Sequence, residues 1–181
     1  MTRQQFEEFL EQKARETKEA RPVDWESRKR DWLRNLAGFY STVEAYLTPY
    51  RDKGMLRFEK SPVTLNEEHI GSYDADSMTI LMGSDKVRLV PVGTLLIGAM
   101  GRVDMGGPAG VVKFLLTGKR SKLLGSLEQA EGERPARRAP AAGLTAREEL
   151  AWRIATSPPR IQFIELTPET FFSALMEVVN G

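Results

Sequence analysis

The sequence predicts a single α+β domain over residues 1–181, with an N-terminal helix pair, a mostly antiparallel strongly curved sheet or small barrel, and a C-terminal helix. Three observations carry this. An aromatic stripe recurs at three- and four-residue steps over about 24–51, the period then shifts to two between Met55 and Thr117, and Thr167-Pro168 opens a last amphipathic run. At 20.4 kDa the chain is long enough to bury a core of its own.

Residues 3–19 read as a first helix whose thin apolar stripe holds Phe6, Phe9, Leu10 and Ala14. So thin a stripe packs weakly, or packs on a partner. Arg21-Pro22-Val23 breaks it, and Asp24 is placed to cap the second helix. There Trp25, Trp32, Leu36, Phe39, Tyr40, Val43, Tyr46, Leu47 and Tyr50 share one face, wide enough to cover a sheet, and Lys53-Gly54 ends the element. Residues 1–53 thus form a helical N-terminal part.

From 54 to 117 the alternation of Leu56-Arg57-Phe58-Glu59, Val63-Thr64-Leu65, Met78-Thr79-Ile80, Val87-Arg88-Leu89 and Val111–Leu115 predicts short strands. Ser61-Pro62, Gly71-Ser72, Gly83-Ser84-Asp85 and Met105-Gly106-Gly107-Pro108 punctuate them as turns of a meander. Residues 118–148 lose periodicity and read as a basic, flexible loop. Residues 149–181 close the domain with a hairpin and a helix. Within them 146–156 is ambiguous, since Thr145-Ala146-Arg147-Glu148 has capping-box spacing while Leu150–Ile154 alternates; the Ser157-Pro158-Pro159-Arg160 turn favours a strand. Phe171, Phe172, Leu175, Met176 and Val179 are the expected buried face of the last helix.

Composition excludes more functions than any motif supports. There is no cysteine and one histidine, His69, so zinc fingers, iron–sulfur clusters, cysteine nucleophiles and paired-histidine metal sites are out. The N-terminus is charged from the start, and the longest apolar stretch, Leu89 to Met100, holds twelve residues where a membrane span needs about 20. These features predict a cytoplasmic protein with no membrane contact. An Arg- and Ala-rich style points to a bacterial source.

Seven of the 15 glycines fall between Gly93 and Gly118, yet they match neither Gly-x-Gly-x-x-Gly nor the Walker spacing, so no cofactor is implied. Bulges or bends at Gly98 and Gly101 and a hairpin loop at Gly106-Gly107-Pro108 account for them. Glu11-Gln12-Lys13 lies on the polar first helix, without the support a nuclease core needs, and no Gly-x-Ser-x-Gly occurs.

Three functional readings follow. The preferred one is a small non-enzymatic interaction or accessory module, with a protein partner or second copy engaging the Phe6, Leu10 and Trp25 edge, and with 118–148 as a further docking element. The second is nucleic-acid binding through 118–148, which carries seven basic against four acidic residues. Its candidates are Lys119, Arg120, Lys122, Arg134, Arg137 and Arg138, although no aromatic there can stack on bases. The third is a metal-assisted hydrolase, which requires Glu68, His69, Asp76 and Asp104 to converge. Arg102 and Asp104 flank Val103, so they share a strand face and can pair with each other, a neighbouring strand or a ligand. The residue inventory argues against an enzyme.

Overall fold

A computed structural model of the chain describes residues 6–9, 11, 23–94, 99–118, 149–156 and 162–181. Of the predicted first helix, residues 6–9 and 11 are helical and the rest lies outside the described residues. The loop 119–148, the turn at 157–160 and Gly98 lie outside them too.

Helix α1, Trp25–Asp52, begins where Asp24 accepts a 3.0 Å hydrogen bond from the Ser27 N–H. It ends as Gly54, at φ +70°, donates to the Arg51 carbonyl at 2.8 Å and Met55 donates to the Tyr50 carbonyl at 3.0 Å. Seven antiparallel strands follow in unbroken sequence order: β1 Arg57–Glu67, β2 Gly71–Met82, β3 Asp85–Gly93, β4 Gly101–Gly106, β5 Val111–Gly118, β6 Leu150–Ala155 and β7 Phe163–Glu165. β1 and β7 are the two edges, so the sheet is open, which corrects the small-barrel alternative. None of the described helices is long and apolar enough to cross a membrane.

Two strand expectations change. β1 runs straight through Ser61-Pro62, which the sequence marks as a turn, because an edge strand tolerates a missing N–H. Residues 150–155 resolve the helix-or-strand ambiguity as strand, paired to β5 from Lys113↔Ala155 to Gly118↔Leu150.

The β1–β2 register is continuous from Arg57↔Leu81 to Glu67↔Gly71, yet the buried parity changes along it. Met78 and Ile80 are buried toward one end, Leu65 and Ala75 toward the other. Twist thus turns opposite faces of the hairpin toward the core at its two ends. Glu67 has the parity of Leu65 and is carried inward with it.

Both helices share one core with the sheet, packed on one face of β3–β6 and on the turning hairpin β1–β2. From α1, Trp32, Leu36, Phe39, Tyr40, Val43 and Leu47 meet Met78, Ile80, Val87, Leu89, Val103, Met105 and Phe114. Phe39 packs on Phe114 and Trp152, with ring centroids 5.2 and 4.6 Å away. Tyr40 resolves its buried hydroxyl by donating to the Asp76 carbonyl at 2.8 Å. Helix α2, Pro168–Asn180, starts with a reciprocal Thr167–Thr170 capping box. Its buried face is Phe171, Ala174, Leu175 and Val178, the i, i+3, i+4, i+7 set, with Phe172 and Val179 half-buried beside it. Met176, expected inside, is 64% exposed, because it falls on the far side of that set.

Gly101 sits directly under the Trp32 ring, where a Cβ would overlap Cζ3. Gly101→Ala therefore overpacks the core and lowers stability by about 1–3 kcal/mol, read as a fall in the urea midpoint. An unchanged midpoint contradicts this packing.

Candidate functional site

The residues singled out by sequence lie apart. His69 occupies the β1–β2 turn and stacks on Trp25, with centroids 4.7 Å apart and planes at 23°. The Arg28 guanidinium lies 5.7 Å from the centroid of the same Trp25 ring, a cation–π contact. Trp25, expected at a partner-binding edge, therefore already has partners within its own chain. Glu68 is exposed in the turn. Asp76 lies within β2, where its carbonyl serves Tyr40. Asp104 on β4 is held by Arg102 through two 2.6 Å hydrogen bonds, Nε to Oδ1 and Nη2 to Oδ2. That is the pairing their shared strand face allows.

Among the described residues no three carboxylate or imidazole groups gather as a metal site would require. The convergence of Glu68, His69, Asp76 and Asp104 that a metal-assisted hydrolase needs is not met. Lys119, Arg120, Lys122, Arg134, Arg137 and Arg138 lie outside the described residues. Phe6 and Phe9 are exposed and stack on each other at 6.4 Å, while Leu10 lies outside the described residues.

Two features went unread in the sequence. The first is a buried polar cluster where the start of α1 meets the β1–β2 turn and the end of β3. The Glu67 carboxylate accepts from the Tyr73 hydroxyl, from the Thr94 N–H at 2.8 Å and from the Thr94 hydroxyl at 2.9 Å. Arg28 Nη2 donates to the Thr94 carbonyl at 2.6 Å. The Trp32 indole N–H reaches toward the Tyr73 hydroxyl without completing a hydrogen bond of good geometry. Room for the carboxylate comes from a bulge: the β3–β4 register slips between Pro91 and Gly93, and Gly93 takes φ +130°. A Cβ on Gly93 would stand 2.8 Å from Glu67 Cδ. With three protein donors on it, this carboxylate joins three elements and is already occupied as an acceptor. The alternation Val63-x-Leu65-x-Glu67 was its one sequence signal.

The second is the sheet face that neither α1 nor α2 covers. Across β3 to β6 its outward charged residues are Lys86, Arg88, Arg102, Lys113 and Arg153 against Asp104 alone. Asp104 is already neutralised by Arg102. Lys86, Arg88 and Lys113 are exposed, and among the described residues none of the three forms an ion pair. Val92 and Val111 are exposed between the cations, and Val90 and Leu115 are half-buried. A shallow depression of about 400 Å³ lies on this face, around Gly106. On the helix side a second depression, of about 240 Å³, touches Asp74, Asp76 and Tyr40; Asp74 there accepts from the Thr64 hydroxyl at 2.8 Å.

Burial raises the pKa of Tyr73, reinforced by its bond to Glu67, and burial followed by the Asp76 charge raises that of Tyr40. An unfolded tyrosine ionises near its ordinary pKa of about 10, whereas the folded chain holds both protons to higher pH. The stabilising contribution is full below about pH 10 and is lost as pH rises above it. Urea midpoints should fall above that pH, and Tyr40→Phe or Tyr73→Phe should flatten the fall. Equal slopes in all three proteins would contradict the assignment.

No family model matches the sequence, and neither a curated protein nor a solved structure matches the chain.

Proposed function

We propose that this chain is a non-enzymatic interaction or accessory module, bacterial and cytoplasmic, that docks an acidic partner on the uncovered face of its sheet. One observation carries the reading: Lys86, Arg88 and Lys113 stand exposed on β3 and β5 with no ion pair among the described residues, interleaved with the exposed Val92 and Val111. A face that mixes apolar contact area with unpaired cations draws an anionic partner by long-range attraction and then gains from dehydration of the valines. The exposed Phe6 and the stretch 118–148 remain further docking elements of the same module.

Glu67 and Thr94, two of the polar residues that the core buries, are engaged in holding elements together. Glu67 joins the β1–β2 turn to the bulge, and Arg28 ties α1 to the same bulge. This supports a binding role over a chemical one.

Nucleic-acid binding is the second reading, and the cationic face favours it as well. Single-strand binders combine such a surface with aromatic platforms. Among the described residues of β3–β6 the outward positions hold Val, Leu, Thr, Ala, Gly and charged residues, with no aromatic. A protein partner is therefore preferred.

The test titrates labelled polyglutamate and labelled oligothymidylate against the full chain, followed by fluorescence anisotropy across a salt series. Polyglutamate should bind at low salt, and the pair Arg88→Glu and Lys113→Glu should weaken it about tenfold or more. No binding at low salt, or an affinity indifferent to both reversals, overturns the proposal. Oligothymidylate binding that is tighter, and that is lost when Arg134, Arg137 and Arg138 become Ala, establishes the second reading instead.

A further inference from the structure

Gly106 is the outward residue at the centre of a cross-strand row, with Arg88 of β3 on one side and Val111 of β5 on the other. Where its neighbours carry long or branched side chains, it carries none, and this gap is the floor of the depression of about 400 Å³. Val90 and Val111 line it with apolar groups and Lys86 and Arg88 with cations, while Asp104, which also lines it, is paired with Arg102.

Nothing in the fold demands glycine there. The φ of Gly106 is not positive, and a Cβ built on it meets only Val111 Cγ2 at 3.8 Å, an ordinary van der Waals contact. Gly101 and Gly107 differ sharply. A Cβ on the first overlaps the Trp32 ring, and on the second the Val178 carbonyl, so packing explains both. Gly106 is the last paired residue of β4, and a glycine in a strand often marks a place where another group approaches closely. At Gly106 the only space so created opens on the uncovered face.

We infer that this notch receives an aliphatic side chain from an extended acidic protein segment, whose carboxylates two residues to either side of that side chain pair with Lys86 and Arg88. This rests on the docking face proposed above and adds its anchor. Lys86 and Arg88 lie two residues apart on one strand and so share a face. An extended partner likewise presents alternate residues to one side, at a rise of about 3.4 Å per residue. A Glu-x-Leu-x-Glu pattern thus sets an apolar anchor between two acids. Charge selects such a segment, and the apolar walls select what it inserts. A phosphate backbone satisfies the cations but has no aliphatic group for the notch.

The test uses the full chain and two labelled peptides, a repeat of Glu-Ser-Leu-Ser and the same repeat with Leu→Ser. The leucine peptide should bind the wild type roughly tenfold or more tightly than the serine peptide. Gly106→Val should erase that preference while its melting temperature stays unchanged or rises. Val111→Glu, at an exposed position, should also lose the preference, and it serves as the reporter if Gly106→Val does not fold. A folded Gly106→Val that keeps the preference, or equal binding of both peptides by the wild type, overturns the notch. In those outcomes polyglutamate binding that still depends on Arg88 leaves the docking face standing, whereas loss of all acidic ligands removes both. Oligothymidylate binding that requires Gly106 also overturns this assignment.

Discussion

Trp32 packs against Gly101 with no space left for a methyl group between them, and this contact fixes how closely α1 approaches the sheet. Three and four residues at a time the same stripe continues through Leu36, Phe39, Tyr40, Val43 and Leu47, all buried against one sheet face. Phe171 of α2 closes on the same side, 6.2 Å from Phe114. Two helices, the turning hairpin β1–β2 and one face of β3–β6 thus account for the core. Since the apolar surface of both helices goes to that face, neither is left to cover the other, and the outward residues of β3–β6 are free to be charged. The surface proposed for docking is a direct consequence of this one-sided cover.

The buried carboxylate belongs to the same constraint. A long aromatic helix crossing a sheet must have its first turns held, and here Arg28 reaches the Thr94 carbonyl while Glu67 takes both donors of Thr94. The β3 bulge at Gly93 makes the space, and Tyr73 supplies a further donor from the opposite strand. A buried polar group is costly unless hydrogen-bonded, and here Tyr73 and both donors of Thr94 meet the Glu67 side chain. Trp25 and His69 stack on each other, which places the chain's single imidazole in a structural contact.

The architecture was legible wherever one physical signal dominated. The stripe of α1, its Asp24 cap and the Thr167-Pro168 start of α2 are local features, and the structure has all three. Ser61-Pro62 misled because a proline is disqualifying only in a strand paired on both sides, and pairing order is not a local property. The buried face of α2 was misplaced at Met176 because Phe171, Phe172, Met176 and Val179 fit a helical stripe almost as well as the true set. The site was less legible than the fold. Glu67 and Thr94 are 27 residues apart and meet only through a bulge, and the Lys86, Arg88 and Lys113 face emerges only when strands are laid side by side. Their alternation was visible, but which parity faces outward depends on where the helices pack.

The docking reading requires the outward face of β3–β6 to be accessible to solvent in the full-length protein. Hydroxyl-radical footprinting of the free full-length protein tests it most directly, because Val111 and Val112 are adjacent in sequence and opposite in placement. Val111 is 55% exposed and Val112 5%. The account predicts strong labelling of Val111 and Val92 with little at Val112, Val87 or Leu89. Labelling of Val111 as weak as that of Val112 would show the face to be covered by the chain itself, and would contradict the account.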